Sequence, residues 1–230
     1  MDRLLDFLAG PKEMETEDGE TLRLLTAMEV LQAEATEDME RMAAMVPSER
    51  PYLESPVRRI FLDRIPWLLL LMLSAAFTGG IIAHFEDALA AQVALTAFIP
   101  MLMDTGGNCG SQSSVTVIRG LSLGQVGFSD WLRVLWKEMR ISALCAAALA
   151  AVNFLRLLVM SHVGMGIALT VSLTLAVTVV TSDLIGSALP IIAKRLGFDP
   201  AVMASPLITT VVDATSLLTY FWLASWLLGL

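Results

Sequence analysis

Long apolar runs separated by short polar intervals dominate the chain from Pro66 onward. Five of them lie close to or above the roughly 20 apolar residues that a helix needs to cross a hydrocarbon core: Pro66–Ala83, Ala88–Ile118, Ile141–Met160, Gly164–Ile192 and Ala201–Leu230. The pattern predicts an all-α integral membrane protein with five transmembrane helices over residues 57–230. The second and fifth runs are longer than a bare crossing and contain Pro100 and Pro206, so tilted, kinked or broken helices are expected there. Upstream, the period changes. Leu24, Met28, Leu31, Ala35, Met39, Met42 and Val46 recur every three or four positions, which predicts an amphipathic helix over about Asp18–Val46. Its other face carries Glu29, Glu34, Glu37, Asp38 and Glu40. Pro47, Pro51 and Pro56 end that helix, and Arg58–Arg64 is expected as a short separate piece at the membrane surface.

Composition agrees with this division. The chain is 56% hydrophobic and 17% charged, against about 45–50% and 25% in soluble domains. Mean hydropathy is +0.69. Residues 1–56 hold 14 acids and 5 bases, residues 57–230 hold 9 acids and 10 bases, so the net charge of −8 belongs to the extension. No basic stripe is present, which disfavours a nucleic-acid partner. The opening run MDRLLDFLAG is too short and too acidic for a cleavable signal. Cys109 and Cys145 are isolated in apolar segments, without the spacing of a redox pair.

Lys and Arg set the expected orientation. Arg58, Arg59 and Arg64 precede the first span; Arg119, Arg133, Lys137 and Arg140 separate the second from the third; Lys194 and Arg195 follow the fourth. On the opposite side only Arg156 departs from the trend. The N-terminus is thus predicted inside, with residues 1–56 a cytoplasmic extension, and the C-terminus outside. Trp67, Trp131, Trp136, Trp222 and Trp226 fall at the expected interfaces.

Three aspartates stand deep in the spans: Asp104, Asp183 and Asp213. An ionised Asp at a helix centre costs about 2.5–3.5 kcal/mol on insertion scales, so it normally faces a cavity, a partner or an ion. None has a Lys or Arg within one turn of its own helix. Asp213 shares a face with Thr209 and Ser205, a polar stripe leading from Asp199–Pro200 to mid-membrane. Asp104, Asn108 and Gln112 form a second stripe, spaced i, i+4, i+8, among Gly106, Gly107 and Gly110. Those glycines permit close helix packing as well as exposed carbonyls. Asp183 either lines the same path or holds a helix contact. Glu138 either sits at the inner mouth or pairs with Lys137 or Arg140. Oxygen ligands without clustered His or Cys suit Mg²⁺, Ca²⁺ or Mn²⁺. Mg²⁺ dehydrates reluctantly, so one or two carboxylates ringed by neutral acceptors would hold it with its waters. This chemistry does not by itself separate Mg²⁺ from Na⁺, H⁺ or Mn²⁺.

Four segments carry a more specific likeness. Arg64-Ile65-Pro66-Trp67, Pro100 with Gly106-Gly107-Asn108-Cys109-Gly110-Ser111-Gln112-Ser113, Val117-Ile118-Arg119-Gly120-Leu121-Ser122-Leu123-Gly124, and Asp199-Pro200-Ala201 with Ser205-Pro206, Thr209-Thr210 and Asp213 resemble the membrane domain of MgtE-type magnesium channels, relatives of the eukaryotic solute-carrier magnesium transporters. The resemblance covers about residues 57–230. It implies a homodimer in the lipid bilayer, with an ion path on the two-fold axis lined by spans two and five. It also implies that Asp213 is the key pore acid and that hydrated Mg²⁺ is surrounded by Ser205, Thr209 and the Gly106–Asn108 carbonyls. Asp104 joins the candidate ligands from the reading of the stripe. Members of that family often carry Asn where Ser205 stands and a small residue where Asp104 stands. They also have a cytosolic superhelical domain and paired CBS modules, for which the acidic extension of 56 residues here is too short; a separate cytosolic regulatory partner is one substitute.

The expected function is a Mg²⁺ channel or facilitated transporter in the cell membrane, with Mn²⁺ or Ca²⁺ as further cargo. The alternatives are an exchanger coupled to Na⁺ or H⁺, and a non-transporting subunit that docks a partner through its acidic helix. No Ser/His/Asp set, phosphate loop or His-rich metal centre points to an enzyme.

Overall fold

The computed structural model describes residues 37–43, 52–160, 163–203 and 205–229. Among them every regular element is helical. The main helices are α1 (Val57–His84), α2 (Glu86–Ala91), α3 (Ile99–Ser122), α4 (Trp131–Met160), α5 (Met165–Arg195) and α6 (Ser205–Leu228). Four segments are long and apolar enough to cross a membrane: Val57–His84, Phe128–Met160, Met165–Arg195 and Leu207–Leu228. The 24-residue α3 is not among them. It has the length, about 36 Å at 1.5 Å per residue. Its Asp104, Asn108, Gln112 and glycines, the residues that make it chemically interesting, lower its hydropathy.

The run beginning at Ala88 takes the broken form among those expected of it: it divides into α2, a 3-10 turn over Val93–Phe98, and α3. Pro100 sits in the first turn of α3, where its missing N–H has no intrahelical acceptor to lose and its fixed φ suits the helix start. The same economy opens α6, where Pro206 is the second residue. Conversely, Arg58–Arg64 is not a separate piece but the first turns of α1, which runs on through Pro66. Most of the predicted acidic helix lies outside the described residues; 37–42 are helical. There Arg41 pairs with Glu37 one turn away and with Asp199 in the approach to α6, tying the extension to the membrane bundle.

The bundle is organised around α5, which packs against α3, α4 and α6, while α6 also packs against α3 and α1. Small residues make the closest crossing possible. A Cβ placed on Gly186 of α5 would lie 2.1 Å from the Gly110 carbonyl oxygen of α3, so the two backbones touch. Leu102, Val171, Leu175, Val179, Leu217 and Phe221 fill the core around α5. Tyr220 donates from its hydroxyl to the Leu95 carbonyl at 2.8 Å, joining α6 to the 3-10 turn that leads into α3. At the other end Lys194 donates to the Leu121 carbonyl at 2.9 Å, and Arg195 lies 4.0 Å over the Phe128 ring. The lysine adds a second donor to a C-terminal carbonyl of α3 that also accepts the Gly124 N–H at 3.3 Å. The outward faces are apolar: on α1, Leu68, Leu69, Leu70, Met72, Leu73 and Phe77 are exposed. That pattern suits lipid contact and would be anomalous in water.

Candidate functional site: a carboxylate groove between α3 and α6

The helical period of α3 puts Pro100, Asp104 and Asn108 on one face, with Met103 and Gly107 beside them. Those residues, with Ile99 from the same helix and Thr209 and Asp213 from α6, line one open groove of about 420 Å³. Glycine explains how α6 comes so near. A Cβ on Gly107 would lie 3.1 Å from the Thr209 methyl, and one on Gly110 would lie 3.0 Å from Ile208 and 3.2 Å from Val212. With hydrogen in their place, α6 brings Asp213 into the same groove as Asp104. Asn108 Nδ2 donates to Asp104 Oδ2 at 3.3 Å, which holds one rim of the groove in place. None of the ion pairs among the described residues involves either carboxylate. Asp104 and Asn108 are exposed at the groove mouth and Asp213 is half-buried.

Five of the seven residues expected at a cation site thus line a single surface: Asp104, Gly107, Asn108, Thr209 and Asp213. Gly106 is placed differently, its side-chain direction turned into the bundle. A Cβ there would meet Thr178 at 2.9 Å and the Ser182 and Ser216 hydroxyl oxygens at 3.0 Å. The Ser205 side chain lies outside the described residues. Gln112, the third member of the expected stripe, is exposed on α3 but does not line the groove. Met103, not singled out from sequence, and Pro100, noted there only for helix shape and motif, do line it; their signal is the spacing of one turn before Gly107 and Asp104.

Glu138 and Asp183 belong to a second place. Both are buried, at 7% exposure each, behind the groove where α3, α4 and α5 meet. Ser113 Oγ lies 3.1 Å from Glu138 Oε2 and 3.0 Å from the Asp183 carbonyl oxygen, linking three helices through one hydroxyl. Glu138 takes part in none of the ion pairs among the described residues, so the expected pairing with Lys137 or Arg140 is not what holds it. Only the fold reveals this, because Ser113 and Glu138 are 25 positions apart on different helices.

Among the described residues no three or more His, Cys, Asp or Glu side chains converge on a point. Two carboxylates with an amide and a hydroxyl along an open wall suit an ion that keeps its water shell better than a dehydrated one held in a closed cage. The segment from Ile99, the first residue of α3, to Leu223 in α6 matches the family model MgtE, divalent cation transporter. The chain belongs to the MgtE family. It is 36% identical over 216 residues to magnesium transporter MgtE of Thermus thermophilus, covering 92% of this chain and 47% of that protein. The magnesium transporter MgtE of Bacillus subtilis is 34% identical over 227 residues (96% and 48%), and that of Enterococcus faecalis 30% over 224 residues (96% and 48%). The chain spans about half the length of the curated relatives it matches. Membership agrees with the likeness carried by Gly106–Ser113 and Asp199–Asp213, and both walls of the groove fall inside the matched segment.

Proposed function

We propose that the chain forms a Mg²⁺ channel or facilitated transporter of the cell membrane, passing hydrated divalent cations through a pore made when two copies bring their α3–α6 grooves together. The observation that carries this reading is the groove itself. Asp104, Asn108, Thr209 and Asp213 are gathered in an open groove on a single subunit whose α1 face is apolar. Carboxylates turned to lipid are costly, whereas two such grooves facing each other enclose a polar passage. The passage has α3 and α6 as walls, which makes α3 the fifth crossing. Mg²⁺ entering it would be held by Asp213 from each copy through its water shell, with Asn108 and Thr209 as neutral acceptors. The family and the printed names of its members, magnesium transporters, support Mg²⁺ as cargo; Mn²⁺ and Ca²⁺ fit the same oxygen chemistry.

Purified protein in liposomes is expected to take up Mg²⁺ without an opposing Na⁺ or proton gradient, and Mn²⁺ and Ca²⁺ are expected to compete. Uptake that requires such a gradient would favour the exchanger instead, the reading to which the buried Glu138–Asp183 pair lends itself. The orientation rests on the basic end formed by Arg119, Arg133, Lys137, Lys194 and Arg195. Single cysteines replacing Ser55 and Leu230, in a background lacking Cys109 and Cys145, should label from the inside and the outside respectively. Labelling of both from one side would end the five-span arrangement.

Contact between Arg41 and Asp199 gives the acidic extension a route to α6. Deleting residues 1–50 should leave a dimer competent for flux, with altered dependence on internal Mg²⁺. Loss of the dimer on size-exclusion with light scattering would make the extension a structural element instead of a modulator.

A further inference from the structure

Arg156 is the basic residue that breaks the charge asymmetry of the chain, and the cation groove makes no use of it. It lies four positions before Met160, the last residue of α4, so it sits at the membrane edge of that helix. Its guanidinium is held in place. Arg156 Nη2 donates to Asn153 Oδ1 at 2.9 Å, and Asn153 is itself buried at 5% exposure and donates from Nδ2 to Ser172 Oγ at 3.1 Å. A further contact reaches Met101 Sδ at 3.6 Å. None of the ion pairs among the described residues includes Arg156, and a guanidinium carries five N–H donors. The charge therefore faces a pocket of about 560 Å³ whose other walls are Ala94, Ala97, Phe98, Met101 and Val163. One fixed cation, with two of its donors engaged among the described residues, at the margin of an otherwise apolar open pocket, is complementary to a molecule that is anionic at one end and hydrocarbon beyond it.

We propose that this pocket binds a phospholipid, with the phosphodiester on the Arg156 guanidinium and the upper part of an acyl chain along Phe98, Met101, Ala94 and Ala97. An Arg fork suits two phosphate oxygens at once, and basic pockets between membrane helices take lipid headgroups by this chemistry. The buried Asn153 matters because it orients the fork before the lipid arrives, which lowers the ordering cost of binding. The site lies against the 3-10 turn Val93–Phe98, which leads directly into Ile99 and Pro100 of the groove wall. A bound lipid thus braces the start of α3 from behind.

The test is native mass spectrometry of the purified full chain in detergent, titrated with phosphatidylglycerol. Arg156→Gln removes the charge, Ala97→Trp fills the apolar wall at an exposed position while leaving Arg156 intact, and Arg133→Gln, at the other end of α4, is the control. Losing a charge-assisted bidentate contact should weaken lipid binding about tenfold or more in Arg156→Gln. Ala97→Trp should weaken it comparably, and the control should bind as the unaltered chain does. Inorganic phosphate in large excess should not displace the lipid. Unchanged binding in both pocket variants would overturn the proposal. Displacement by phosphate alone would also overturn it, showing a simple anion site. The readout is lipid occupancy, so it stands apart from whether the chain transports Mg²⁺.

Discussion

Replacing Asp213 with Asn is expected to cut Mg²⁺ flux through reconstituted protein by on the order of a hundredfold, equivalent to about 2.7 kcal/mol. The amide has the shape of the carboxyl group and keeps its hydrogen-bonding capacity, so the groove should stay open and the chain folded. What disappears is negative charge where a doubly charged ion must pass with low-dielectric material on every side. Neutral acceptors such as Asn108 and Thr209 do not replace that charge. Without Mg²⁺ the variant should be slightly more stable, because one of two like charges lining the same groove is gone. Asp104→Asn should reduce flux less, since Asp104 is exposed at the mouth while Asp213 is half-buried against it. Flux and thermal unfolding measured on the same preparations check both statements. A well-folded Asp213→Asn protein with normal flux would remove Asp213 from the ion path.

Gly186→Ala should have the largest effect on the fold. The added methyl group would lie 2.1 Å from the Gly110 oxygen and 2.8 Å from its carbonyl carbon, whereas carbon contacts normally sit at about 3.5–4.0 Å. The obstacle is backbone, which cannot rotate away as a side chain can. Helices α3 and α5 must separate, and with them the core around Leu102 and Val179 loosens. Overpacking of this kind costs about 1–3 kcal/mol, and a backbone clash belongs at or above the top of that range. Gly79→Ala on α1 is the matched control, since a Cβ there meets nothing within 4 Å. Thermal unfolding in detergent should show a marked fall for Gly186→Ala and almost none for Gly79→Ala. Equal stability of the two would mean that α3 and α5 do not cross as described.

Much of this arrangement was legible in the sequence because the bilayer imposes length and polarity on each helix separately. Four apolar crossings followed from run length, and the pairing of Asp104 with Asn108 followed from a spacing of four. The groove needed two further facts that periodicity does not carry. One is that α6 lies against α3, which depends on Gly107 and Gly110 being opposite Thr209, Ile208 and Val212. The other is which side of α3 each glycine takes: Gly106 and Gly107 are neighbours in sequence, yet a helix turns about 100° between them, so one packs inward and the other lines the groove. Helix breaks were less legible still. A hydropathy pattern does not distinguish Ala88–Ile118 as one long helix from a short helix, a 3-10 turn and a second helix, and Pro100 alone leaves a tilt, a kink and a break equally open; it stands at a helix start. The Ser113 link between Glu138 and Asp183 illustrates the general limit. Each residue taken alone on its helix invites a local explanation, such as a salt bridge from Glu138 to Lys137 or Arg140, whereas its contact in the fold is with Ser113.

The most direct measurement of whether ions pass between two copies is cross-linking at Asn108, which is exposed on the groove wall. The variant Asn108→Cys, with Cys109 and Cys145 replaced by Ala, would be treated with a short thiol-reactive cross-linker cleavable by reductant while Mg²⁺ flux is followed in liposomes. A pore between two copies should give a covalent dimer joined through position 108, loss of flux as it forms, and recovery of flux on reduction. Free thiols at position 108 on monomeric chains, with undiminished Mg²⁺ flux, would contradict it.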